Sequence, residues 1–239
     1  MRIYKCLLFT LFLVVSACKK DVKTTFTESD FNTEANVNVH VNIPVAAGDA
    51  DIVTKINSTV KHSAIAALQI GEFQDEDINS IESAALNFTN EYKAFKTDFP
   101  DSPELWKAQI DGEVLSQSAE LISVSLTSYI NTGGAHGTMH ISLLNFNAET
   151  GEHVENTKLF NDAEGFKKIA KTYFDNAVKD KALLDVSDSF KLPENIGFND
   201  EGIVLLYNTF EIAPYASGII EFMIPFDEVA SYLVFNSSL

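Results

Sequence analysis

Apolar and polar residues alternate from Ala35 to Ile43: Ala35, Val37, Val39, Val41 and Ile43 are set against Asn36, Asn38, His40 and Asn42. A period of two predicts a strand with one buried face and places His40 on the polar side. Pro44 ends the run. Gly48-Asp49 opens a helix whose stripe is Ile52, Ile56, Val60, Ala64 and Ala67/Leu68, closed by Gly71. A second helix is expected from about Asp77. Its apolar residues Ile78, Ile81, Ala85, Phe88, Tyr92, Phe95 and Phe99 recur alternately every three and four positions, a seven-residue repeat suited to lengthwise packing on a helix or a sheet.

Pro100 and Pro103 break that helix, and the period returns to two. Trp106, Ala108, Ile110, Gly112 and Val114 alternate with Lys107, Gln109, Asp111 and Glu113. Ala119 to Ile130 and Thr138 to Phe146 read as further strands, and Asn147 to Gly151 has the composition of a hairpin loop. Asn161 or Asp162 can cap a third helix with the stripe Phe166, Ile169/Ala170, Tyr173/Phe174 and Ala177. Ile203 to Asn208 and Gly218 to Ile224 read as strands, and Pro225 starts a short helix over Phe226 to Leu233. Helices and strands are segregated rather than alternating. The expected class is therefore α+β, with antiparallel sheet and helices packed on one side.

The amino terminus follows a different logic. Arg2 and Lys5 precede the apolar stretch Leu7 to Val15, which is shorter than the ~20 residues needed to span a bilayer and fits a secretory signal. It ends in Val15-Ser16-Ala17-Cys18, which looks like the lipobox of bacterial lipoproteins. Residues 1–17 are accordingly expected to be removed, Cys18 to carry lipid, and the polar, Thr-rich residues 18–34 to form a flexible tether. Lys19 lacks the acidic character that favours inner-membrane retention in some bacteria, which favours the outer membrane. Cys6 leaves with the signal, so no thiol remains for a disulfide, a metal or a nucleophile.

Charge narrows the partners. The 239 residues carry 17 Lys+Arg and 34 Asp+Glu, a formal −17. Loss of Arg2 and Lys5 leaves 15 bases against the same 34 acids, or −19. Such a surface disfavours nucleic acid and attracts cationic partners. An apolar fraction of 46% excludes a disordered chain.

Candidate chemistry is sparse. The sequence has no G-x-S-x-G, H-E-x-x-H or phosphate-loop motif, and Gly133 to Gly137 lacks dinucleotide spacing. His136 and His140 on a strand stand ~13 Å apart, too far to share one ion. Asp75-Glu76-Asp77 suits a helix start, where the dipole favours negative charge. No metal, no cofactor and no enzymatic activity are expected. A catalytic reading requires a cleft in which His136 meets carboxylates or Tyr215.

Two stretches stand out. One is Tyr129 to Gly137, holding Thr132, Gly133, Gly134 and His136, followed by Leu144 to Gly151 and Leu159-Phe160. The other is Tyr207 to Gly218, holding Pro214 and Tyr215 and leading into Phe222 to Phe226. Together they resemble the hallmarks of paired domains of unknown function found in the extracellular region of the anti-sigma factor RsiV and beside the deacetylase PdaC. The resemblance spans about residues 35 to 235. It implies two interlocked α+β parts, set here at 35–130 and 131–239, and a binding role at the bacterial envelope. Lysozyme and peptidoglycan are the ligands it suggests. Its two stretches give Tyr129, Thr132, Gly133, Gly134, His136, Tyr207, Pro214 and Tyr215 as candidate binding residues on loops carried by sheet, or else as the architecture of two difficult turns and their mutual packing. Neither the sigma-binding and transmembrane segments of an anti-sigma factor nor a deacetylase domain is expected in these residues, so signalling by cleavage and deacetylation are not expected either. A structural envelope lipoprotein that dimerises through the Phe88 to Phe99 face is the rival expectation.

Overall fold

The computed structural model describes residues 24–33, 37–71, 78–178, 184 and 190–235. The expected signal segment, Cys18 and Asp75-Glu76-Asp77 lie outside them.

The first strand falls where a tether was expected. Residues Thr25–Thr33 form β1, which pairs antiparallel with β2 (Asn38–Ala47) along its full length. The segment is polar enough to read as tether, because an edge strand leaves most side chains in water and is ordered by backbone pairing. Phe26 and Phe31 alone turn onto the core. Asp49 caps α1 (Ala50–Ala67), accepting from the Asp51 and Ile52 amides. Ser80 caps α2 (Ile81–Asp98) through a reciprocal box with Ser83, which places the helix start a turn after the expected Asp77.

The two helices form the crossover to β3 (Lys107–Gln117), so β2 and β3 run parallel, the one departure from an antiparallel order. Then β4 (Leu121–Asn131) and β5 (Thr138–Asn147) complete a sheet ordered β1-β2-β3-β4-β5. Val39, Val41, Ala108, Ile110, Ile122, Val124 and Phe146 point to α1 and α2 from one face of this sheet. Trp106 seats the second helix: its ring lies 5.6 Å from Phe88, 5.8 Å from Tyr92 and 5.4 Å from Phe95. The seven-residue stripe is thus spent inside the chain. Phe88 is fully buried and Phe99 alone stands exposed, so the Phe88 to Phe99 face is not free to dimerise.

After the 147–151 turn, α3 (Ala163–Ala177), capped by Asp162, packs on a second sheet ordered β6-β7-β8. Its strands are β6 (Asn195–Phe198), β7 (Gly202–Tyr207) and β8 (Ile220–Pro225), followed by the short α4 (Phe226–Val229). Phe160, Phe166, Phe174, Ile203, Leu205 and Phe222 form its core. The four residues of β6 are all buried and too few to show a period, which hid this strand in the sequence.

The β6 strand of the second sheet packs on β5 through side-chain amides and reaches β4 and β3 through Ser123 and Ser116. The Ile141 N–H donates to Asn208 Oδ1 and Asn208 Nδ2 donates back to the Ile141 carbonyl, each 2.8 Å. The Leu143 N–H donates to Asn195 Oδ1 at 3.0 Å, and Asn145 Nδ2 donates to the Ile196 carbonyl at 2.7 Å. Ser123 Oγ donates to Asn145 Oδ1 and accepts from the Phe198 N–H, both 3.0 Å. These bonds satisfy strand groups that would otherwise be buried without partners. Because β5 belongs to the first sheet, the first unit continues through Asn147, beyond the expected limit at residue 130.

Candidate functional site

The loop leaving β4 is held by backbone that only glycine adopts cheaply. Gly133 and Gly134 have φ of 97° and 95°. The Gly133 N–H donates to Asn131 Oδ1 at 2.9 Å and the Gly134 N–H to Glu104 Oε2 at 2.6 Å. A Cβ on Gly133 would sit 2.3 Å from that carboxylate oxygen. Gly137 is buried against the ring of Tyr129, where a Cβ would lie 2.4 Å from Cζ. Lys107 Nζ stands 5.9 Å from the centroid of the same ring. Tyr129, Gly133 and Gly134 therefore shape the loop that carries the exposed His136, while Thr132 stands half-buried just ahead of the glycines.

The second loop is clamped by one carboxylate. Glu211 Oε2 accepts from the Asn208 N–H at 2.8 Å and Oε1 from the Glu194 N–H at 3.0 Å. Phe210, between them, has φ of 68°, the sole positive value on a non-glycine among the described residues, and its ring is 69% exposed. A bulky residue held so, in water, stores strain without burial to offset it. Pro214 then leads into a 3-10 turn over Tyr215–Ser217.

The loops from the two units meet. Tyr215 stacks on His136, with centroids 6.0 Å apart and planes 19° from parallel, and its hydroxyl donates to the Gly137 carbonyl at 3.2 Å. Phe210 continues the row, 5.7 Å from Tyr215. Met139, paired across the strands with Tyr129, is also exposed. The result is a surface row of aromatic rings, pinned from beneath by backbone bonds, with Glu104 and Lys107 at its margin. Rings so disposed offer apolar contact at little ordering cost to a partner.

Tyr207 does not join them. It is buried in the second core, its ring 5.6 Å from Phe174 and its hydroxyl donating to the Lys191 carbonyl at 2.5 Å. Burial, and secondarily the charge of Glu211, raises its pKa well above the ordinary tyrosine value. Its expected binding role gives way to a structural one. Phe210, Met139 and Glu104 were missed by sequence reasoning. Phe210 lies within the second stretch, but no spacing announces its backbone.

His136 lies on the loop before β5, and His140 on β5 itself. Among the described residues no group of three His, Cys, Asp or Glu could hold a metal ion, and no helix is long and apolar enough to cross a membrane. A cleft of about 560 Å³ lies away from the ring row, lined by Thr54, Lys55, Ser58, Thr59, Glu152 and His153.

Residues 31–139 match the family model described as Deacetylase PdaC, and residues 154–227 the one described as Protein of unknown function (DUF3298). No curated protein matches the chain. A DUF3298 family member from Bacteroides fragilis shares the fold with a TM-score of 0.67 at 17% identity, over 90% of this chain and 95% of the other. A DUF3298 family protein from Pseudomonas aeruginosa gives 0.61 at 18%, with the same coverage. The ring row is built from both matched regions, His136 from the first and Phe210 and Tyr215 from the second.

Proposed function

We infer that this chain, in which a PdaC-family domain is followed by a DUF3298 domain, is a non-enzymatic binding protein of the bacterial cell envelope. In this reading it is held by lipid on Cys18, at the outer membrane, and uses the joined His136–Tyr215 loops as its recognition surface. The observation that carries the reading is the row itself: two loops distant in sequence converge to hold three rings in water, one of them on strained backbone. His136 serves there as a stacked ring on an open surface, an arrangement suited to contact rather than to proton transfer in a cleft.

The first candidate partner is a cationic, lysozyme-like protein, supported by the formal −19 left once residues 1–17 are removed, which attracts basic proteins over roughly a Debye length of ~8 Å. The flat exposed rings favour a second candidate, cell-wall glycan, whose sugar faces can stack on aromatics. Deacetylation belongs to the description of the first family model and is not part of this reading.

The experiment is a binding assay of the full chain against a basic lysozyme at low and high salt, beside co-sedimentation with insoluble peptidoglycan. Salt-weakened association with the lysozyme supports the first partner. Sedimentation with peptidoglycan alone transfers the assignment to glycan, and absence of both overturns the reading.

A further inference from the structure

Among the described residues no strand pairs with the outer edge of the five-stranded sheet at β1, whereas β5 and β6 are engaged with each other. On β5 and β6 the facing groups are taken up by Asn145, Asn195, Asn208 and Ser123. On β1 the nine pairs with β2 run without a bulge, and no described strand lies on its far side. A long regular edge presents alternate N–H and C=O groups as a template for a further strand. Natural edges are blunted by Pro, by bulges or by charged side chains, and of these Thr25–Thr33 has charge alone.

What β1 does carry is negative charge at its centre. Glu28 and Asp30 are exposed and point to the polar side of the sheet, where Asp111 and Glu113 of β3 lie beyond them. Neither β1 nor β2 contains Lys or Arg, and among the described residues the basic group paired with an acid of β1 is His40, 3.4 Å from Asp30. This pattern selects the occupant. In a symmetric antiparallel pairing of two copies centred on Ser29, Glu28 of one chain faces Asp30 of the other, and centring on either acid sets it against itself. Like charges directly opposite are destabilising, so the edge is guarded against its own copy. An extended segment with Lys or Arg at alternate positions reverses the sign of the same interaction.

We propose that β1 is a docking edge for an extended basic peptide segment of a partner protein, added as a sixth strand, with Glu28 and Asp30 selecting its alternate cations. The site lies at the opposite edge of the sheet from β5, some four strand spacings or ~19 Å from the ring row, and does not depend on that row's ligand.

The probe is a nine-residue peptide alternating Lys and Thr, matched to β1 in length, with two versions N-methylated on either alternate set of amides and one with Glu for Lys. Titrated into the full chain, the Lys peptide is expected to bind and to slow amide exchange at residues 25–33. At least one methylated version should bind about tenfold more weakly at unchanged charge. The double variant E28K/D30K, at two exposed positions, should lose the Lys peptide by about tenfold or more and accept the Glu peptide instead. Binding by both methylated versions as tight as by the unmethylated Lys peptide would mean charge attraction without strand pairing and would overturn the proposal. So would failure of the Lys peptide to bind, or unchanged exchange at 25–33 on binding.

Discussion

His136 and Tyr215 lie with their rings 6.0 Å apart and 19° from parallel, one from the loop that closes the first unit's last hairpin and one from the second unit. The contact depends on two backbone devices that neither ring provides for itself. Gly133 and Gly134 turn the first loop, and Glu211 clamps the second.

The outermost rings are expected to matter for binding and little for folding. Tyr215→Ala and Phe210→Ala remove exposed rings, so each should change stability by under about 1 kcal/mol, while Phe210→Gly should stabilise by relieving the positive φ. Chemical denaturation of the three variants checks this.

Gly133→Ala should cost about 1 to 2 kcal/mol and disturb the surface, because the new Cβ must displace the Glu104 carboxylate from the Gly134 N–H. Glu104→Gln keeps an acceptor oxygen and should lose less. Thermal midpoints of the pair, read beside the His136 ring resonances, measure both effects.

Asn208 holds the sheets together by donating to and accepting from Ile141. Asn208→Ala leaves both strand groups without partners and should cost about 2 to 4 kcal/mol. Asn208→Asp keeps the acceptor but sets a carboxylate against the Ile141 carbonyl. It should be the worse variant at neutral pH and recover in acid, as protonation restores a donor. Urea unfolding at neutral and mildly acidic pH separates the two.

Tyr207 predicts an alkaline signature. Its folded pKa lies above the unfolded value of ~10, so the stability it contributes is complete below pH ~10. Above that the unfolded chain loses a proton that the folded chain keeps, and stability falls by about 1.4 kcal/mol per pH unit until the folded pKa is reached. Tyr207→Phe should remove this slope at a cost near 1 kcal/mol for the bond to Lys191. Denaturation midpoints followed between pH 9 and 11 test it.

The parts of the fold legible from sequence are those where burial follows a period. The alternation from Val37 to Ile43 and the seven-residue stripe of α2 mark faces that are buried as expected, and Asp162 caps α3. The stripe's partner was not legible, since nothing in the spacing of Phe88, Tyr92 and Phe95 says that they surround Trp106. β1 was lost because an edge strand is ordered by pairing rather than by burial, and β6 because four buried residues have no period. At the candidate site, the glycines and His136 were visible as a loop and Tyr215 as part of another. Their stacking is set by the docking of two sheets through Asn145, Asn195 and Asn208, polar residues whose role appears only once the two sheets face each other. Tyr207 shows the converse: a residue in the right stretch, directed inward by strand alternation.

The proposed recognition surface is the row of His136, Tyr215 and Phe210. It is tested most directly by the affinity of the full chain and of the double variant F210A/Y215A for a basic lysozyme and for peptidoglycan, measured at low salt with thermal midpoints alongside. A loss of about tenfold or more toward whichever ligand the parent chain binds, with the midpoint retained, is the predicted result. Unchanged affinity in a folded double variant would contradict the account.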